Sequence, residues 1–218
     1  MSRQKLPRFL HNLNADNVIE RGKPLYTTIK GRWREEYFKN DNPIVLELAC
    51  GKGEYTIGLA KQFPNKNFIG IDIKGDRIAR GSKIAYDNNL KNVCFLRTGI
   101  RYLEEFFEEN EVSEIWLIHP DPQPRDKDEK KRLTNAYFLN LYNKILAKNG
   151  AFRLKTDNPT LYEYSLISIP EVNFVISNHT SDLYSSDLLD HHYGIKTHYE
   201  RIFTEKGFTI NYIEAYKL

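Results

Sequence analysis

Short apolar runs rich in β-branched residues alternate with segments of helical periodicity along most of the chain. The runs typical of strands span residues 44–49, 67–73, 93–97, 114–118, 151–156, 173–178 and 209–216. The segments typical of helices span residues 55–63, 76–88, 102–109, 129–148, 161–168 and 199–206. Runs such as IVLEL and FIGIDI are apolar at nearly every position, which indicates a parallel sheet buried under helices on both faces. The pattern predicts an α/β fold with a seven-stranded, mostly parallel sheet.

The last two strand candidates break the alternation, because the long polar stretch at residues 180–197 follows the first of them. This break predicts a final hairpin with an antiparallel last strand. In open α/β sheets, nucleotide-type ligands bind beyond the carboxyl ends of the strands. We therefore expect the chemistry of this protein just after residues 49, 73, 97, 118 and 156.

Charge is distributed unevenly along the 218 residues. Residues 1–39 contain nine Lys or Arg and four Asp or Glu, a local net charge of +5, whereas the whole chain carries +3. This contrast predicts a basic N-terminal arm, residues 1–40, outside the sheet of a near-neutral domain, residues 41–218. A basic arm suggests a polyanionic partner, and a solvated tail without a partner is the alternative that charge leaves open.

The remaining composition excludes several classes of protein. No run approaches the ~20 apolar residues of a membrane helix, and the N-terminus lacks an apolar signal core, so we expect a cytoplasmic protein. Cys50 and Cys94 are too few for a disulfide framework or a four-ligand zinc site. No cysteine or acidic ligand pattern accompanies His191, His192 and His198, so we expect no metal.

A glycine-containing loop follows the first predicted strand, in the segment Glu47-Leu-Ala-Cys-Gly51-Lys-Gly53. The two glycines allow a tight turn and a close approach to a ligand. A dinucleotide fingerprint would need a third glycine where Thr56 stands, which argues against NAD or FAD. The segment instead matches an E-x-G-x-G-x-G loop with Ala49 at its first glycine, which suits a cationic amino-acid-bearing ligand. An ordinary strand–helix turn is the alternative.

Polar residues also follow the second and third predicted strands. Asp72 stands where a carboxylate can accept both hydroxyls of a ribose. It would alternatively cap the next helix, but Asp76 is an equally good cap and leaves Asp72 free. After the third strand, an acid that binds an adenine amino group is absent, so Thr98 or backbone groups would have to take its place.

Three prolines surround an acid after the fourth predicted strand, in His119-Pro-Asp121-Pro-Gln123-Pro-Arg125. The prolines predict a stiff loop with a fixed, functional carboxylate on Asp121. A rigid surface turn is the alternative. After the fifth strand, Asp157 is either a helix cap or a ligand-facing acid.

In their order along the chain, these segments resemble the bacterial tRNA (guanine-N(7)-)-methyltransferase family. The resemblance runs from about residue 32 to the C-terminus and rests on E-L-A-C-G-K-G-E, G-I-D-I-K, P-D-P followed by K-K-R-L, K-T-D and T-H-Y-E. It implies a Rossmann-like methyltransferase fold, S-adenosylmethionine as cofactor, and tRNA as substrate, methylated on a variable-loop guanosine. The oligomeric state, monomer or homodimer, stays open.

The resemblance also implies roles for particular residues. The cofactor-binding residues would be Glu47, Gly51, Gly53, Asp72, Thr98 and Asp121. Asp121 would also be the catalytic acid, and the substrate-binding residues would be Arg125, Asp157, Thr197, His198, Tyr199 and Glu200. The chain departs from the family pattern with Gln123 for a tryptophan, Arg125 for a lysine, and Gly99 where the adenine-binding acid is expected.

The implied reaction needs little proton chemistry. Nitrogen 7 of guanine carries an in-plane lone pair and no proton, so it attacks a sulfonium methyl group without a general base. We expect a buried Asp121 to stabilise the charge that develops on the purine. A carboxylate such as Glu200 would accept both donors of the guanine edge. The rival interpretations are a methyltransferase for a small molecule or protein, an RNA-binding module without cofactor, and an NAD-dependent enzyme.

Overall fold

One eight-stranded sheet forms the centre of the protein in the computed structural model, which describes residues 5–218. The strands are β1 (Val18–Ile19), β2 (Ile44–Leu48), β3 (Asn67–Asp72), β4 (Val93–Arg97), β5 (Val112–Ile118), β6 (Leu146–Thr156), β7 (Phe174–Thr180) and β8 (Asn211–Lys217). The helices are α1 (Lys5–Asn14), α2 (Glu54–Gln62), α3 (Gly75–Asp87), α4 (Ala136–Ile145), α5 (Pro159–Ser168) and α6 (His198–Glu205). The strand order is β1-β4-β3-β2-β5-β6-β8-β7.

The predicted α/β class and Rossmann-like arrangement are confirmed. Neighbouring strands from β1 to β6 pair in parallel, whereas β8 pairs antiparallel with both β6 and β7. The sheet has eight strands instead of seven, because Val18 and Ile19 pair with Phe95 and Leu96 of β4.

The expectation that the basic N-terminal segment lies outside the sheet is wrong for β1, and residues after β1 pack into the core of the domain instead of forming a separate arm. Ile29 and Trp33 belong to the hydrophobic core, and the indole nitrogen of Trp33 donates a hydrogen bond to the carbonyl of Phe106 at 2.8 Å. A count of charges misses these apolar anchors, because they are spaced between the basic residues. Residues 1–4 of the predicted arm lie outside the described residues.

Two helix predictions also differ from the structure. Residues 102–109 form a 3₁₀ turn at Ile100–Glu105 instead of an α-helix. The segment 129–148 divides into a 3₁₀ turn, Asp126–Lys131, then α4 and the start of β6. Asn135 begins α4, because its side chain accepts the amide hydrogen of Phe138, and Leu146 ends it by adopting extended backbone angles. The sequence analysis missed α1.

The core lies on both faces of the sheet, which explains why the central strands have no polar face. Successive side chains of β2 point to opposite sides, so that Leu46 packs into one hydrophobic cluster and Val45 into the other. Because β2 to β6 pair in parallel, their carboxyl ends meet at one edge of the sheet. Within residues 5–218, no helix is long and apolar enough to cross a membrane.

Candidate active site

The loop after β2 has a strained backbone that its sequence explains. Ala49, Gly51 and Gly53 all have positive φ angles, of 55°, 56° and 67°. A methyl group added at Gly53 would lie 2.4 Å from a ring carbon of Phe95, so this position requires glycine. Ala49 adopts the left-handed conformation in spite of its side chain, at a typical cost of about 1–2 kcal/mol. The loop therefore keeps the shape of the three-glycine pattern although the first glycine is missing.

Glu47 is buried beneath this loop. One carboxyl oxygen accepts the amide hydrogen of Thr56 at 2.6 Å and also the hydroxyl of Thr56. Thr56 stands where a dinucleotide-binding fingerprint would have its third glycine. In this protein its amide and hydroxyl are the hydrogen-bonding partners of Glu47. Burial raises the pKa of Glu47 to about 8, so that the group holds its proton near neutral pH. A cation that approached this carboxyl would favour its ionised form.

Asp72 connects the loop after β2 to the loop after β3. Its two oxygens accept the amide hydrogens of Gly51 at 2.9 Å and Lys74 at 2.7 Å. Each carboxylate oxygen has two lone pairs, so one acceptor site on each oxygen stays available to a ligand. Asp76 does not cap α3, since no side chain caps its first residue, and instead faces Arg8 across 3.9 Å.

An exposed apolar surface lies next to Asp72. Ile73 is 63% exposed although it follows a buried strand, and Tyr102 is half exposed. A methyl group at Gly99 would lie 3.3 Å from the Tyr102 ring and 3.8 Å from Ile73, so these three residues lie together. Thr98 is buried. The sequence analysis missed Ile73 and Tyr102, and the available signal was a large apolar residue directly after the acid at the end of a strand.

The proline-rich loop after β5 holds Asp121 in a different environment from the one expected. Pro120 is buried, but Asp121 is exposed and forms no hydrogen bond or ion pair with any residue that the structure describes. The expected burial of this carboxylate is therefore wrong, because the buried proline places the next residue on the surface. Two non-glycine residues of this loop, His119 and Gln123, adopt strained left-handed backbone conformations, with φ angles of 45° and 48°.

The basic run after this loop separates into two kinds of residue. Arg125 and Lys131 are exposed and both bind the carboxylate of Asp128, at 2.6 Å and 2.7 Å. Arg132, in contrast, is buried, donates to the carbonyl of Gln123 at 3.1 Å, and lies over the ring of Tyr164. Arg132 therefore supports the proline-rich loop and is not available to a ligand. Arg125 contacts none of the other predicted site residues.

A buried charge network joins two of the predicted substrate-binding residues. The imidazole of His119 lies between Asp157 and Glu200, with Nδ1 3.1 Å from Asp157 Oδ1 and Nε2 3.5 Å from Glu200 Oε2. Glu200 also accepts hydrogen bonds from Lys155 Nζ at 2.7 Å and from the Tyr184 hydroxyl at 2.5 Å. Sequence reasoning assigned no role to His119, Lys155 or Tyr184, since their contacts cross between distant segments.

This network fixes the charge of its members. Burial alone would raise the pKa of Glu200, but contacts with His119 and Lys155 hold it well below the usual range. The hydrogen bond from His119 likewise lowers the pKa of Asp157. Burial opposes a charged imidazole, yet the two carboxylates outweigh that effect and raise the pKa of His119.

The segment Thr197–Glu200 forms the start of α6. Thr197 and Glu200 form a capping box, in which the Thr197 hydroxyl accepts the amide hydrogen of Glu200 and the Glu200 carboxylate accepts that of Thr197. The amide of His198 donates to Glu54 of α2 at 2.9 Å, while Tyr199 is 54% exposed. Glu200 is 0% exposed, so in this conformation no open carboxylate edge faces a guanine.

Comparisons with known proteins agree with this geometry. A family model described as "Putative methyltransferase" matches residues 41–212. A tRNA (guanine-N(7)-)-methyltransferase of Cytophaga hutchinsonii is 44% identical over 98% of this chain and 97% of its own length. Another, of Porphyromonas gingivalis, is 49% identical over 89% of this chain and 78% of its own length.

The solved structure of the 16S rRNA methyltransferase KamB superposes with a TM-score of 0.65 over 84% of this chain and 91% of its own. At 14% identity, that likeness shows the fold alone. No group of three His, Cys, Asp or Glu side chains within residues 5–218 is placed to hold a metal ion. The identities over nearly whole chains decide the relationship: the chain belongs to the tRNA (guanine-N(7)-)-methyltransferase family.

Proposed function

We propose that this protein transfers a methyl group from S-adenosylmethionine to nitrogen 7 of a guanosine in the variable loop of tRNA, in the cytoplasm. The observation that carries the proposal is the free carboxylate of Asp121 at the carboxyl edge of the sheet. Its strand, β5, is the direct neighbour of β2, which leads into the glycine loop. A cofactor held by that loop would lie next to the acid, because neighbouring strands are only about 5 Å apart.

The residues at the ends of β2 and β3 fit S-adenosylmethionine. Glu47 is a buried carboxyl with no cationic partner among the described residues. A cation bound beside it would favour its ionised form. Asp72 retains acceptor sites for the ribose hydroxyls, and the surface of Ile73 and Tyr102 suits a flat ring. The remaining proposed cofactor contacts are Gly51, Gly53, Thr98 and Asp121. When bound, the cofactor supplies an electrophilic methyl group on a sulfonium.

The protein's main contribution to the reaction is positioning. Because nitrogen 7 needs no deprotonation, the in-line placement of donor and acceptor can supply up to ~7–11 kcal/mol in favourable cases. The Asp121 carboxylate, which no group within residues 5–218 neutralises, would orient the base and stabilise the positive charge that develops on the purine. Its exposure leaves it accessible to a nucleotide from outside.

The proposed RNA contacts lie on the exposed groups around this edge. Arg125 presents a guanidinium that Asp128 holds at the surface, and the side chains of His198 and Tyr199 are the exposed members of the T-H-Y-E segment. Asp157 is partly exposed. Thr197 and Glu200 are committed to the capping box and the buried network, so we propose that they position this segment, and that Glu200 does not read the guanine itself.

Undermodified tRNA incubated with labelled S-adenosylmethionine tests the proposal when the labelled base is mapped. We expect 7-methylguanosine in the variable loop. Asp121→Asn keeps the size of the side chain but removes its charge, and we expect turnover to fall by about 100-fold or more. Cofactor affinity should fall much less, because the proposed contacts from Glu47, Asp72 and the glycine loop remain. Asp126→Asn, an exposed acid five residues further on, is the matched control. A label on another base, or more than half of wild-type turnover in Asp121→Asn, contradicts the proposal.

A further inference from the structure

We propose that His119, as an imidazolium, is a positioning residue that holds the three segments of the proposed site in one arrangement. The segments are the proline-rich loop with Asp121, the end of β6 with Asp157, and the start of α6 with Glu200. This inference rests on the proposed function, since it concerns the same site. Nothing in the sequence patterns assigned a role to His119.

His119 lies at the point where the proline-rich loop leaves the sheet. It is the first residue after β5, and Asp121 follows two positions later. Its amide hydrogen binds the carbonyl of Lys155 at 2.8 Å, which extends the pairing of β5 with β6 by one residue. Its φ angle of 45° then turns the chain out of the sheet. A side chain fixed at this turn fixes the direction in which the loop leaves.

Both ring nitrogens of the imidazole face a carboxylate. Nδ1 is hydrogen-bonded to Asp157, at the end of β6, at 3.1 Å. Nε2 lies 3.5 Å from Glu200 Oε2 on α6, an ion-pair distance without hydrogen-bond geometry, and is otherwise unpartnered within residues 5–218. The His119 side chain is 8% exposed, so water does not replace either contact readily. Lys155 of β6 also faces the site, where it binds the far oxygen of Glu200 and opposes the charge of His119. Tyr184, from the loop after β7, donates to that same oxygen.

Protonation decides whether this bridge is complete. An imidazolium has two N–H donors and a positive charge to offer the two carboxylates, whereas a neutral imidazole has one donor and presents a lone pair to the other carboxylate. The two acids raise the pKa of His119 and stay ionised themselves, because their own pKa values are lowered. The bridge is therefore complete below the ordinary histidine pKa and is lost as pH rises through the raised value.

The loss would affect the chemical step more than cofactor binding. His119 contacts the segments that carry Asp121, Asp157 and Glu200, but none of the residues of β2 and β3 that we assign to the cofactor. A loop that leaves the sheet in a different direction misplaces the acceptor base. Such misplacement lowers the rate of transfer. The cofactor dissociation constant should change much less, because Asp121 is the one proposed cofactor contact on these three segments.

The first experiment measures single-turnover methyl transfer at saturating cofactor and tRNA from about pH 6 to about pH 9. In the wild-type protein we expect the rate to fall along one titration step as pH rises. His119→Gln should lower the rate at the acidic end by roughly 10- to 100-fold and abolish the step. His179→Gln is the control, because His179 is an exposed histidine whose ring, among the described residues, binds only the Tyr162 hydroxyl. A wild-type rate and an unchanged step in His119→Gln overturn the proposal.

The second experiment does not depend on catalysis. It measures the nitrogen chemical shifts of isotope-labelled histidine rings in the wild-type protein. The signals of His119 are identified as those missing from the His119→Gln spectrum. We expect both ring nitrogens of His119 to be protonated at about pH 7. A neutral His119 ring at that pH overturns the inference. This result does not require a folded variant, because the wild-type signals can also be assigned by another method. If the wild-type protein methylates no guanine, the proposed function fails, and the ring titration still decides whether His119 bridges the two acids.

Discussion

Cofactor binding should release a proton from Glu47. In the free protein, burial raises the pKa of this carboxyl to about 8, and its hydrogen-bonding partners are the amide and hydroxyl of Thr56, which carry no charge. S-adenosylmethionine carries positive charges on its sulfonium and its ammonium group. If it binds as proposed, the ionised form of Glu47 becomes the stable one in the complex.

The pKa sets the size of this effect. The shift from 4.5 to about 8 makes ionisation of Glu47 less favourable by on the order of 5 kcal/mol. At about pH 7 roughly nine-tenths of the groups still hold the proton, so binding should release about 0.9 protons. Each pH unit below 8 adds about 1.4 kcal/mol to the cost of ionisation, so cofactor affinity should rise up to tenfold between about pH 6 and about pH 7.

Titration calorimetry in buffers with different ionisation enthalpies measures the released protons directly. Glu47→Gln keeps an acceptor for Thr56 and has no proton to release, so subtraction of its value isolates Glu47 from His119 and other groups. We expect the variant to bind S-adenosylmethionine with little dependence on pH. Equal proton release in wild type and variant, or no release at about pH 7, would show that the cofactor's charge does not reach Glu47.

Two further predictions concern the glycine loop and the basic run. Gly51→Ala should destabilise the fold by about 1 kcal/mol through its backbone alone, and Gly53→Ala by a further ~1–3 kcal/mol through overlap with Phe95. Urea unfolding measures both, and equal losses would refute the steric argument. Lys127→Ala and Lys130→Ala, at exposed sites, should each make the log–log salt dependence of tRNA affinity shallower by about 0.7–0.9. Filter binding at several salt concentrations measures this, and an unchanged slope removes both lysines from the interface.

The ends of the strands could be predicted from the sequence because the signal for each lies within one short, continuous segment. Asp72 lies at the end of a run, and Asp121 shortly after another, whose apolar character already indicates a buried strand. A parallel sheet brings such ends to one edge. The surroundings of Glu200 could not be predicted in this way. Its partners Lys155, Tyr184 and His119 come from three other segments, and only the fold brings them together.

The contact between Glu200 and its own backbone, in contrast, could be predicted from the sequence. The spacing of Thr197 and Glu200 is the S/T-x-x-E pattern of a capping box, which predicts a helix start in which the glutamate turns back toward its own backbone. The family resemblance directed attention to substrate contact instead. The packing of the N-terminal segment could not be predicted from its charge. Net charge gives no information about the few apolar residues, such as Ile29 and Trp33, that anchor this basic stretch in the core.

The short strand β1 also protects the sheet from other protein molecules. Without it, β4 would be an edge strand with a row of unpaired backbone groups, which invites pairing with a strand from another chain. The Asn17 carbonyl accepts the Phe95 amide hydrogen at 2.8 Å, and Val18 and Ile19 continue the pairing. A two-residue strand is too short to serve as a template itself. Removal of the N-terminal segment through β1 should therefore cause self-association, which light scattering would detect. A loss of RNA binding in such a truncated protein could not then be assigned to the missing basic residues.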